Sequence, residues 1–239
     1  MPFLDPDGAP LPPLALSYLG DRAFRVEQPF RWVDPRDGAS FEVPAGQLTD
    51  LASVPSFLWG LVASYGRQAL PAILHDTLSD RADDAPAATR DAVRRDADLR
   101  FRRALVESGV TVLRARTMWT AVALNRYAEF RMPIAILLFV QAIVSIVAIV
   151  GAVVLAALGH PWWLLLLPAP AVLAIPWWRD AGLALCAAYL GALYLPLVVA
   201  AALSTAVEYL VALAVWLVDG RRRPVPRPGP TLRAPGGAS

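Results

Sequence analysis

The chain has 239 residues, 56% of them hydrophobic, and a formal net charge of only +2. That is too apolar for an ordinary soluble domain, and the near-neutral balance argues against a nucleic-acid binder, which needs a basic face interleaved with aromatics. The single cysteine, Cys186, excludes a disulfide framework or a cysteine-based zinc site within one chain.

The small net charge conceals three regimes. Residues 1–131 hold 16 Arg against 17 Asp and Glu, whereas residues 132–218 hold only Arg179, Asp180 and Glu208. Residues 219–239 carry five Arg and one Asp. A polar head (1–131), a membrane block (132–218) and a basic tail (219–239) follow from this division. The opening "MPFLDPDGAPLPPLALSYLG" is acidic, proline-broken and lacks a basic n-region. It does not read as a signal peptide, which places the head in the cytosol.

In chain order, residues 14–47 read as strand material. "FRVEQPFRWVD" and "SFEVPAG" are aromatic or β-branched, and "PRDGA" between them carries turn residues. From Pro55 the pattern turns helical, with Asp50 or Ser53 as cap and proline in the first turn. Gly66 breaks the next element, and Pro71 fits only near the start of a helix through "RQALPAILHDTLSD". Ala85 to Ser108 is the clearest helix of the head: Val93, Ala97, Phe101 and Leu105 form an apolar stripe, and Gly109 is a C′ stop. Beside that stripe Arg90, Arg94, Asp98 and Arg102 form an i, i+4 row, which pairs Asp98 with its arginine neighbours. A further helix, about Val112 to Phe130, runs toward the membrane block.

Met132 to Gly159 contains one polar amide, Gln141, and no charge, so it exceeds the ~20 apolar residues that a helix needs to cross a bilayer. Trp162 to Trp178 is shorter and proline-interrupted, with tryptophan pairs at both ends suited to the interfacial belts. Ala181 to Val218 runs on with one charge, Glu208. Arg126 and Arg131, Arg179, and Arg221 to Arg223 lie on one side only if the number of spans is even. Four spans (132–158, 161–178, 181–199 and 200–218) satisfy this, with three as the alternative. Both ends of a multi-pass cell-membrane protein are then cytoplasmic. The bilayer is the first partner, the basic tail is expected to be disordered and to touch anionic lipid, and no protein partner is specified.

The pattern "VPAG-x-x-TDLASVP", a Gly-Arg pair, "HD-x-L", and "AD-x-x-F…L…GV" resembles the family of unknown function numbered 1353, found in bacterial and phage proteins. Val43 to Gly46, Thr49 to Pro55, Gly66, Arg67, His75, Asp76, Leu78, Ala97, Asp98, Phe101, Gly109 and Val110 carry it, over residues 20–130. Ser56 stands where the family commonly has a basic residue, and Thr77 and Ser79 replace two aromatics of its "HDWLY". The resemblance implies a fold and candidate positions, and no reaction.

Three chemistries could use the polar set. Asp50, His75 and Asp76, with Asp98, supply an imidazole and carboxylates suited to a hydrolytic divalent metal, although the upstream histidine of a full His-Asp dyad site is missing. Ser53 could be a nucleophile activated by His75 and oriented by Asp50, Asp76 or Asp98. His75 with a carboxylate could act as a general acid–base. Against these stands a structural role for each residue: Asp50 and Ser53 as caps, Asp98 as an ion-pair member, and His75 and Asp76 on a small polar helix face.

The expected architecture is a small α+β head, short antiparallel strands then helices, followed by an all-α transmembrane region. The expected function is a membrane-anchored binding or scaffold-like module. A membrane-tethered hydrolase, metal-assisted or not, is the alternative, and a transporter component centred on Glu208 is the third.

Overall fold

The computed structural model describes residues 3–20, 23–51 and 66–219. The helix expected from Pro55, with Ser53 and Ser56, lies outside the described residues, as does the tail beyond Asp219.

The head begins with two three-stranded antiparallel sheets. β1 (Phe3–Leu4), β4 (Phe30–Val33) and β5 (Ser40–Val43) form one, in the order β1-β4-β5. β2 (Leu16–Gly20), β3 (Ala23–Val26) and β6 (Leu48–Thr49) form the other, in the order β2-β3-β6. The "PRDGA" turn joins β4 to β5, with Trp32 opposite Phe41 and Phe30 opposite Val43. Strand alternation sends Phe30 and Trp32 inward and leaves Arg31 between them partly exposed.

Three helices cover the sheets. α1 (Ala69–Asp83) starts two residues before Pro71, where a missing N–H costs no helical bond. α2 (Ala87–Glu107) follows, and α3 (Val112–Phe130) completes the head. α2 ends in a Schellman motif: Val110 N–H donates to the Leu105 carbonyl and Gly109 N–H to that of Val106. Gly109 has φ +77°, a left-handed conformation that favours glycine, and Arg67 Nη1 lies 2.9 Å from where a Cβ would stand. Phe3, Val26, Phe30, Trp32 and Val43 from the strands pack on Ile73, Leu74 and Leu78 of α1 and on Ala97 and Ala104 of α2. A second core, Ala72, Phe101, Leu105, Ala115 and Met118, joins the three helices.

One residue, Arg131 (φ −145°, ψ 54°), separates α3 from α4 (Met132–Ala157). Two short 3₁₀ stretches, Pro161–Leu166 and Ile175–Asp180, flank α5 (Ala169–Ala174), and α6 runs from Ala181 to Val218. Two helical stretches, Met132–Ala157 and Pro161–Val218, are long and apolar enough to cross a membrane. α6 is one helix of 38 residues with Pro196 inside it, and no turn divides it at 199/200, where the sequence reading sets a span boundary.

α4 and α6 both start at the head. Met132 follows α3 directly, and Asp180, one residue before α6, accepts a hydrogen bond from Tyr127 of α3 (2.6 Å) and an ion pair from Arg95 of α2 (2.9 Å). A third core, with Trp119, Ala123, Tyr127, Leu138, Ala174, Leu183, Ala184 and Cys186, welds α3 to α4, α5 and α6. Farther out Gly191 of α6 meets Ile146 of α4 so closely that a Cβ would lie 2.6 Å from Ile146 Cδ1.

Candidate functional site

His75 lies on α1 and is buried. Its Nε2 is 3.0 Å from Asp98 Oδ1 on α2, and its ring rests on Phe101 with centroids 4.8 Å apart. The other Asp98 oxygen, Oδ2, accepts from Arg126 Nε on α3 at 3.0 Å. Arg126 continues to Asp91 (Nη1 to Oδ1, 2.6 Å), and Asp91 reaches Arg131 (2.6 Å) at the joint between α3 and α4. Asp98 is 1% exposed and Arg126 3%. Burial works against the charge on Arg126, but Asp91 and Asp98 more than offset this and raise its pKa.

The sequence reading takes Asp98 as an ion-paired surface or interface residue between Arg94 and Arg102. In the fold it turns inward instead, since the partners that compensate a buried carboxylate come from α1 and α3. Likewise the small polar face of α1 at His75 and Ser79 is buried rather than open.

Asp76 points elsewhere. Its Oδ2 accepts from the Thr49 hydroxyl at 2.6 Å, and Thr49 Oγ1 in turn accepts from the Leu51 N–H at 2.9 Å. Burial pushes the Asp76 pKa up from 3.8 to about 6; the Thr49 hydrogen bond and nearby His75 oppose this, while the charges of Asp50 and Asp80 add to it. The structure thus joins His75 to Asp98, and sets Asp50 near Asp76 on a separate rim with Thr49 and Asp80. Ser53 lies outside the described residues.

A divalent metal needs convergent donors, and among the described residues no three His, Cys, Asp or Glu side chains converge. His75 and Asp76 reach different partners, Asp98 and Thr49. Both Asp98 oxygens are engaged, and the His75 ring is buried against Phe101. Glu208 is exposed on α6, and no ion pair to it occurs among the described residues.

Sequence reasoning missed Arg126 and Asp34. Asp34, fully buried at the end of β4, accepts from Arg100 Nη1 (2.7 Å) and Arg103 Nη2 (2.6 Å) of α2. Arg100 also stacks over the Phe41 ring at 4.3 Å. This knot fixes the β4–β5 sheet to α2, just as the Asp98–Arg126 pair fixes α2 to α3.

Residues 24–122 match the family described as "Protein of unknown function (DUF1353)". The head carries a domain of that family. The match lies inside the span, 20–130, over which the motifs resemble it, and takes in β3 to the first half of α3. No curated protein and no solved structure matches the chain. Within the DUF1353 domain, "HD-x-L" supplies His75 and Asp76, while "AD-x-x-F" supplies Asp98 and Phe101, which enclose the His75 ring. Two of the separated motifs are therefore one packing unit.

Proposed function

We propose that this protein is a membrane-anchored binding or scaffold module whose DUF1353 head is locked to its own anchor. The grip of Arg95 and Tyr127 on Asp180 carries this reading, because it ties the head to the root of the longest apolar helix. The buried His75–Asp98–Arg126 chain supports a structural role for the polar motifs. A histidine spent on an enclosed carboxylate organises helices more readily than it turns over substrate.

The chain crosses the bilayer three times in this reading. The first two turns of α6, with Leu183, Ala184 and Cys186 to Ala188 buried, belong to the head. What remains, 189–218, is about 45 Å long, enough for a tilted crossing of a ~30 Å core. The return segment 161–180, mixed 3₁₀ and α, extends roughly 33 Å. One unbroken helix through 181–218 favours three crossings over four. The head is cytoplasmic, and the tail then lies across the membrane from it.

Expression of the full chain followed by alkaline carbonate washing tests the anchor. The protein is expected in the membrane pellet, and recovery in the wash defeats the reading.

A second reading, a membrane-tethered hydrolase, is supported by one observation. Asp76, with a pKa near 6, sits where a general acid–base would be poised. If the full chain cleaves generic ester or phosphoester probes, and Asp76→Asn abolishes this without lowering the melting temperature, the hydrolase reading replaces the scaffold.

A further inference from the structure

We propose that Arg102 and Arg116 form a binding site for the phosphate of an anionic phospholipid headgroup at the junction of head and membrane. The proposal rests on the anchored reading above. Five arginines of the helical head pair with carboxylates: Arg95 with Asp180, Arg100 and Arg103 with Asp34, Arg126 and Arg131 with Asp91. Arg81 and Arg90 donate to backbone carbonyls instead, and Arg102 and Arg116 stand out among the rest because they adjoin each other. Among the described residues neither pairs with a carboxylate: Arg102 lies over the Trp119 ring (4.8 Å to the centroid), and Arg116 Nη1 contacts only Cys186 Sγ, at 3.9 Å.

The two guanidiniums are close enough to disturb each other. Burial first, and the charge of Arg116 next, lower the Arg102 pKa; Cys186 opposes this and Arg103 adds to it. Uncompensated like charges on adjoining helices are costly unless an anion joins them. Outside the described residues Asp21 is the one acidic side chain, and residues 52–65, which precede α1, hold none.

Position selects the kind of anion. Tyr127 contacts Asp180 and Arg116 contacts Cys186, so α3 runs antiparallel to the root of α6. Arg116 therefore stands level with the last head-docked turn of α6, just before its exposed apolar stretch begins. One turn before Arg116 in the chain, at the α2–α3 tip, Val112 (60% exposed) and Leu113 (47%) present apolar side chains to the surroundings. Val106, at the end of α2, is exposed there too. Apolar residues at the tip, with a tryptophan and two free guanidiniums a turn behind, match the order acyl chain, interface, phosphate along a leaflet. Arginine suits that phosphate because its planar fork donates two parallel hydrogen bonds.

The test uses the full chain. Flotation with neutral phosphatidylcholine vesicles reads the anchor alone, and is expected to succeed for wild type and for Arg102→Gln/Arg116→Gln. Failure there overturns the anchored reading and the site with it. In mixed phosphatidylcholine–phosphatidylglycerol nanodiscs, lipids retained through gentle detergent extraction are then counted by native mass spectrometry. Wild type is expected to enrich phosphatidylglycerol roughly tenfold over its bulk share, and the double Gln variant to lose that enrichment. Arg102→Lys/Arg116→Lys keeps the charge and is expected to retain part of it. Equal retention of both lipids by wild type, or undiminished enrichment in the Gln variant, overturns the site while leaving the anchor standing. Inorganic phosphate that raises the melting temperature in detergent as much as phosphatidylglycerol does, and only with the arginines present, overturns the lipid as ligand in favour of a soluble phosphate.

Discussion

At the scale of single residues, the head depends on carboxylates that have left water. Asp98 compensates Arg126 and holds His75, so Asp98→Ala leaves a buried guanidinium without one of its two carboxylate partners. Breaking a buried pair from one side costs about 3–5 kcal/mol, and a drop of many degrees in melting temperature is expected. A loss of under a degree would show that the pair contributes nothing to the fold. Asp76 behaves in the opposite sense. With its pKa raised from 3.8 to about 6, the folded chain holds a proton that the unfolded chain has released. Its contribution is full below pH 4 and is lost as pH rises through 6, on the order of 3 kcal/mol. Asp76→Asn keeps an acceptor for Thr49, so it should raise the melting temperature at about pH 7.5 and change little at about pH 4. An identical shift at both pH values would refute the assignment.

The site was only half legible in the sequence for a physical reason. His75, Asp76 and Asp98 stood out as rare polar groups in family motifs, but partner choice is a tertiary property. Arg126 lies 28 positions from Asp98, in a helix that reads as a connector. Periodicity reports which face a residue occupies and says nothing of what a second helix brings to that face. Arg94 and Arg102 were nearer in sequence to Asp98, yet a buried carboxylate is matched by whatever enters the interior.

At the scale of elements, sequence periodicity served the helices well. α2 and α3 lie within two residues of the expected bounds, Pro71 falls in the first turn, and Gly109 closes α2 as a C′ residue should. β1 was missed, since two residues make no pattern, and the continuity of α6 past Pro196 matches the three-span alternative rather than the four-span reading. A proline removes one N–H from a helical ladder, and in an apolar segment breaking the chain there exposes more backbone than keeping it. Where α4 and α6 touch, the fit depends on Gly191. Gly191→Leu places a branched side chain where even a Cβ lies 2.6 Å from Ile146, and overpacking of this kind costs typically 1–3 kcal/mol. Lower thermal stability is expected in detergent, with rescue by Ile146→Ala. Severing the root of α6 has a different signature. Asp180→Asn should speed hydrogen exchange through 181–188 while leaving the strands protected, and uniform exchange across the chain would contradict the grip described for Arg95 and Tyr127.

At the scale of the whole molecule, three passes and four passes predict different sides for the tail. Ser239→Cys, in a chain whose native Cys186 is buried, gives a label site at the far end. An impermeant maleimide is expected to reach it from the face opposite the head. Labelling from the head's own face restores an even number of crossings.

One helix links all of these scales. α2 turns Arg100 and Arg103 toward Asp34 on the sheet, Asp98 and Asp91 toward Arg126, and Arg95 toward Asp180 at the root of α6. Inserting a single residue between Arg95 and Arg100 rotates one set against the other by about 100° and lengthens the helix by about 1.5 Å. Both sets cannot then be met together. Related chains that join this head to these membrane helices should therefore keep the spacing within α2 unchanged, even where surface residues and loops vary freely. The head is consequently not an interchangeable cargo on an anchor: its gauge is cut into the one helix that both halves share.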